Sequence, residues 1–261
     1  MIGSKLLKWI MAFSGLGLVS CSNDTGDSQD VNQESIHGYY LADLLEDNEK
    51  IELYTWFRFA GPTGTTLQLT DKARISANNQ PLSLVSGKQQ VFNIAGTYYH
   101  STFAQTPDGK EFVFDWVRND GKSFQNKVPV PQKIKPFVVL VGTSDPLSNK
   151  KTHIVSVEKG GFTATFEGSN LGENESIECV LRSEAESSPN AGLYFLTVPW
   201  NSKLQNCVFG KEALKDFSLG KAKLNLSRVW RKENKAAGHE KAGSLLVSQY
   251  RAKPISLEMV P

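Results

Sequence analysis

Three cysteines, four histidines and a few closely spaced acids are the residues of this 261-residue chain best equipped for chemistry, and their spacing limits what that chemistry is. The histidines, His37, His100, His153 and His239, are scattered, and no two lie within metal-ligand spacing of each other, which argues against a zinc site. Glu173 with Glu175 and Glu184 with Glu186 offer hard oxygens of the kind calcium requires, but they sit in serine-rich, surface-like stretches and read as solvated acids. No GxSxG, HExxH, phosphate-binding glycine loop or dinucleotide fingerprint occurs. Asp108-Gly109 and Asp145-Pro146 are turn chemistry rather than catalytic carboxylates. The sequence therefore assigns no catalytic, cofactor-binding or metal-binding residue.

Cys21 is the residue with the clearest context. Lys5 and Lys8 precede the apolar run Trp9 to Phe13 and the segment Ser14 to Leu18, a stretch shorter than the about 20 apolar residues that span a bilayer. This is the build of an export signal. Its end, Leu18-Val19-Ser20-Cys21, resembles the lipobox of bacterial lipoprotein precursors. The resemblance covers the first 21 residues and implies cleavage after Ser20, a diacylglyceryl group on the Cys21 thiol and an acylated amino terminus. Two or three acyl chains anchor durably where one does not, because each buried methylene contributes about 0.8 kcal/mol. Ser22 after the cysteine, rather than Asp, implies delivery to the outer membrane if the source is Gram-negative. The alternative is an ordinary secretory signal with a coincidental cysteine.

Export has a consequence for the other two cysteines. With Cys21 acylated, Cys179 and Cys207 form an even pair in an oxidising compartment, each near a strand-like segment, and a disulfide between them is expected; two reduced, buried thiols are the alternative. Neither has a nearby histidine or a CxxC arrangement, so a reactive thiol is not indicated.

Charge is uneven along the chain although the net value is only +2. Residues 22–50 hold eight acids and one Lys, whereas residues 51–261 hold 26 basic against 19 acidic residues. No basic cluster interleaved with aromatics indicates nucleic acid. Residues 22–35, with one aliphatic side chain, read as a flexible acidic tether of up to roughly 45 Å if extended.

The elements that must carry any site are mostly strands. Residues 39–47 have helix-like apolar spacing at 40, 41, 44 and 45 and predict a short helix ahead of the first sheet. From Ile51 onward, alternating runs punctuated by Asn78-Asn79, Asn119-Asp120-Gly121 and Lys159-Gly160-Gly161 set the rhythm of antiparallel sandwiches. Phe112, Phe114 and Trp116 share one strand face and are expected in the core. The proline-rich stretch 128–136 divides the chain into two strand-rich halves, and the late strands ending Trp116-Val117-Arg118 and Val229-Trp230-Arg231 echo each other weakly. The predicted fold is all-β: two antiparallel β-sandwich domains, 36–135 and 136–261, resembling in class the immunoglobulin-like modules of bacterial surface proteins. A short helix is expected within 211–217.

These readings favour a non-catalytic, envelope-anchored lipoprotein that meets the membrane through lipid on Cys21 and binds an envelope protein or a glycan through loops or an edge strand. Tyr39, Tyr40, Tyr98 and Tyr99 are the candidate binding aromatics, since rigid amphipathic rings give contact area at low entropic cost, although each also suits core packing. The competing readings are a passive structural accessory of an envelope assembly and a hydrolase whose site is assembled from distant residues.

Overall fold

The computed structural model describes residues 25–46, 50–86, 96–104, 110–140, 153–184, 193–202 and 206–261. Almost every element is a strand. In the first half these are β1 (Gly26–Asp27), β2 (Ile36–Leu45), β3 (Ile51–Phe59), β4 (Thr66–Gln68), β5 (Arg74–Ala77), β6 (Gln80–Pro81), β7 (Ser83–Val85), β8 (Tyr98–Phe103), β9 (Glu111–Val117) and β10 (Ser123–Pro129). The second half supplies β11 (Lys135–Leu140), β12 (His153–Ser156), β13 (Gly161–Glu167), β14 (Glu175–Ser183), β15 (Leu193–Pro199), β16 (Cys207–Gly210), the one-turn α1 (Lys211–Leu214), β17 (Gly220–Asn234), β18 (Ser244–Arg251) and β19 (Ile255–Val260).

One long sheet runs β1-β4-β3-β2-β18-β17-β14-β15, with β8 and β7 joined at β3 and with β19 and β12 joined at β17. Two smaller sheets, β10-β9-β5-β6 and β11-β13-β16, lie apart from it in the hydrogen-bond network. Register explains how one sequence serves both faces of the long sheet. Phe103, Ile51, Leu44, Tyr250, Arg228, Ile177 and Val198 stand directly opposite one another across seven strands. Directly opposed side chains share a face, and apart from Arg228 this row is apolar. The adjacent row, Thr102, Glu52, Asp43, Gln249, Val229, Ser176 and Pro199, is mostly polar and faces the other way.

Both small sheets pack on the apolar face. Phe112, Phe114 and Trp116 are fully buried, as their alternation predicts, and meet Phe103, Tyr40 and Phe57 at ring separations of 5.6, 5.3 and 5.2 Å. At the other end, Phe162 stacks on Phe209 at 4.6 Å, and Tyr194 meets Phe209 edge-on at 6.3 Å. Cys179 of β14 and Cys207 of β16 are disulfide-bonded, which ties the long sheet to the three-stranded one. Such aromatic pairs add about 0.5–1.5 kcal/mol each beyond their buried area.

Several expectations are corrected. The predicted helix over 39–47 is strand: Ile36–Leu45 is buried on both faces, and a strand so placed reads as a continuous apolar run with no clean period of two. An antiparallel arrangement throughout is also not what forms, because β2 runs parallel to β18, β1 to β4 and β12 to β19. The division at 135 separates the small sheets, but the long sheet takes strands from both sides of it. The tether does not reach residue 35. The Ser28 hydroxyl is buried and accepts from the Thr70 N–H and Asn119 Nδ2, each at 3.0 Å, and Gln33 Nε2 donates to the Ser28 carbonyl at 2.6 Å. Polar residues that look solvated in sequence here satisfy one another in a packed turn. Residues 90–94, where the sequence alternates as in a strand, lie outside the described residues, and β5, β10 and β16 are strands that alternation alone does not mark.

Candidate binding surface and the buried polar clusters

Arg228 is the charged residue of the apolar row, and its chemistry is consumed locally. Its Nε donates to Glu175 Oε1 at 3.0 Å and its Nη2 to Glu175 Oε2 at 2.5 Å and to the Asn170 carbonyl at 3.0 Å. Nη1 donates to the Ser169 carbonyl and hydroxyl at 3.0 and 2.9 Å. All five guanidinium hydrogens are thereby used. Glu175 also accepts from the Gly172 N–H at 2.6 Å, so the ion pair fixes the turn between β13 and β14. Beside it lies a cleft of about 450 Å³, floored by Arg228, Trp230 and Ser248 and walled by Pro129, Gln132 and Ser169. Glu175, one of the acids considered for calcium, is therefore the partner of Arg228, and Glu184 pairs with Lys223 at 2.5 Å. No group of three or more metal-ligating side chains occurs among the described residues.

A second cluster surrounds His239, which is fully buried and stacks on Trp116 at 4.5 Å. Its Nδ1 lies 2.7 Å from the Ile36 carbonyl and must donate, so Nε2 accepts from the Tyr40 hydroxyl at 2.8 Å. Burial pushes the His239 imidazole pKa down to about 4, against the pull of the Ile36 carbonyl. The site needs a glycine opposite: a Cβ on Gly38 would stand 2.6 Å from the His239 ring. A third cluster lies on the polar face of the long sheet. Asp43 is fully buried and held by Arg251, and Glu52 accepts from His100 Nε2 at 2.6 Å and the Thr102 hydroxyl at 2.7 Å. Burial raises the Asp43 carboxyl pKa, with Glu52 adding to the shift and Arg251 opposing it. In all three clusters the polar atoms serve the fold.

The four tyrosines fare unequally. Tyr40, Tyr98 and Tyr99 are buried, which corrects their reading as binding aromatics; the Tyr99 hydroxyl points inward and accepts from the Leu69 N–H at 2.6 Å. Alternating strand residues of this type fill cores, and sequence alone does not tell which face is covered. Tyr39 keeps partial exposure, stacks on Trp56 at 4.5 Å and borders a hollow of about 220 Å³ that His37 also lines. Cys21 lies outside the described residues.

Three exposed apolar side chains gather at β15, the strand that ends this path of the long sheet among the described residues, while Leu84, Ile154, Val208 and Leu219 are exposed elsewhere. Phe195 is 57% exposed, Leu193 47% and, just past the strand, Trp200 45%. Among the described residues β15 pairs only with β14. The Trp200 amide donates to the Glu175 carbonyl at 3.0 Å, which sets the phase of the ladder. Tyr194, Leu196 and Val198 then turn their backbone groups toward β14, and Leu193, Phe195 and Thr197 turn theirs to the open edge. No model of a known protein family matches the chain, and a search of curated proteins finds no similar sequence.

Proposed function

We propose that this chain is a lipid-anchored protein of the bacterial envelope whose globular body docks a protein partner at β15 without performing catalysis. The observation that carries the docking reading is the edge itself: a backbone row unpaired among the described residues, whose own side chains include the exposed Leu193 and Phe195. The anchoring half rests on the Lys5 to Cys21 pattern, and the disulfide between Cys179 and Cys207 fits an exported protein. Two β-layered lobes sharing one wall, in the manner of sandwich modules, would hold that edge away from the headgroups.

The test is chemical crosslinking in the intact envelope before extraction, comparing the native chain with Phe195→Lys. The native chain should give a reproducible adduct that the variant loses. Identical adduct patterns from the two, or none from either, would remove β15 as a docking surface. A glycan reading has one observation in its favour, the half-buried Tyr39 ring beside the hollow. Trp56→Ala, which removes the stacking support of Tyr39, should then weaken retention on an immobilised oligosaccharide; unchanged retention, or none by the native chain, discards that reading.

A further inference from the structure

Resting on that docking surface, we infer that the occupant of the β15 edge is a second copy of the same chain, paired antiparallel about a two-fold axis at Phe195. The open backbone groups belong to Leu193, Phe195 and Thr197, which are spaced symmetrically around Phe195. An antiparallel copy brings Phe195 opposite its own counterpart and Leu193 opposite the other copy's Thr197. Each such pair exchanges both N–H···O=C bonds, so all three outward amides and all three outward carbonyls find partners. Pro199, which has no N–H, lies beyond the paired segment and loses nothing.

Comparison with the other long sheet edges shows why β15 differs. β10 ends the four-stranded sheet and carries Lys127 and Pro129, while β11 ends the three-stranded sheet and begins Lys135-Pro136. Charge and proline on an edge discourage strand addition. β15 reads LYFLTVP, with no charge and its proline at the last position. No like charges meet in the two-fold register, and the Phe195 rings, exposed in a single copy, cover each other. A two-fold contact uses the same β15 edge of both copies and leaves neither edge free, so association through β15 closes at a dimer.

Seven residues of edge bury less than the about 1,600 Å² of a standard interface, so the contact is weak in dilute solution and gains from the high local concentration of chains tethered to one membrane. The closing experiment uses two differently tagged copies of the full-length chain produced together in a bacterial host, with single cysteines placed on β15. Phe195→Cys should form a disulfide-linked dimer carrying both tags. Leu193→Cys in one copy should crosslink to Thr197→Cys in the other at least about tenfold more than Thr197→Cys crosslinks to itself, because only the former pair is in register. The Leu193 and Thr197 variants keep Phe195 and serve if Phe195→Cys does not fold. Equal crosslinking at all positions overturns the register. Benzoylphenylalanine at position 195 separates the failures: an adduct to a different protein overturns the second-copy inference and keeps the docking surface, and no adduct overturns both.

Discussion

Arg228 and Glu175 form a two-bond ion pair in the middle of an otherwise apolar row, with the arginine side chain 3% exposed and the glutamate 11%. Charges removed from water this far are tolerated only when every hydrogen-bonding position is filled, and here the Ser169 and Asn170 carbonyls complete the set. The pair holds the β13–β14 turn in place and, through β14, the strand that supports β15.

Arg228→Ala should destabilise the fold by about 3–5 kcal/mol, because it leaves the Glu175 carboxylate uncompensated. Replacing both residues, as Arg228→Met with Glu175→Leu, should recover much of that loss. Urea denaturation of the two variants checks this. If the single variant is no less stable than the double one, the ion pair is not a buried, interdependent unit.

Stability should fall as pH drops from about 6.5 toward 4, through His239. The folded state holds this imidazole neutral down to about 4, whereas an unfolded chain protonates it near the ordinary 6.5, so the unfolded state binds the extra proton in this window. Protonation through the window removes about 3 kcal/mol. His37, also held low by burial, acts in the same direction; Asp43, whose carboxyl is held high, acts oppositely. The urea midpoint of the native chain should therefore drop between pH 7.5 and 5, and His239→Phe should flatten that slope. An unchanged slope would show that the His239 imidazole titrates alike in the folded and unfolded chains.

Removing the disulfide by Cys179→Ala with Cys207→Ala should lower stability by roughly 3–4 kcal/mol, in line with the loop it closes. Since the two sulfurs bridge different sheets, amide exchange should rise first in β16 and α1. A uniform rise over the whole chain would mean that the crosslink does not act locally.

Gly38→Ala should cost as much as losing a buried ring contact, because its Cβ would meet His239 at 2.6 Å and the Tyr40 ring at 2.8 Å. The loss should shrink when the alanine is combined with His239→Ser, which clears part of the space. Additive losses, measured by denaturation, would show that Gly38 and His239 do not share that space.

Cys21→Ala should leave an uncleaved precursor that takes up no labelled fatty acid. Normal processing and labelling of that variant would overturn lipid attachment at Cys21.

How far the sequence could be read follows from how local each feature is. Alternation at Phe112-Val113-Phe114-Asp115-Trp116 gave a strand and its buried face, and the Asn78-Asn79 turn closes the β5–β6 hairpin with both residues at positive φ. The disulfide followed from the cysteine count and the expected compartment. What stayed hidden depends on partners far away in the chain. Residues 39–47 look helical because β2, between β3 and β18, is covered on both faces and so lacks a period of two. Ser28 looks solvated because its partners, Thr70 and Asn119, are more than 40 residues away. The β15 edge was invisible for a related reason: a sequence gives a strand's alternation, but not which strand is last in a sheet.

The parallel ladder between β2 and β18 has a temporal side. Gly38 is matched with Ser244, so the first long strand to be synthesised has no neighbour on one flank until nearly the whole polypeptide exists. Contacts this distant in sequence close slowly, and the apolar β2 must wait without its cover. If the chain is exported as proposed, that delay is an advantage, since a body unable to finish its central sheet before β18 arrives stays threadable until then.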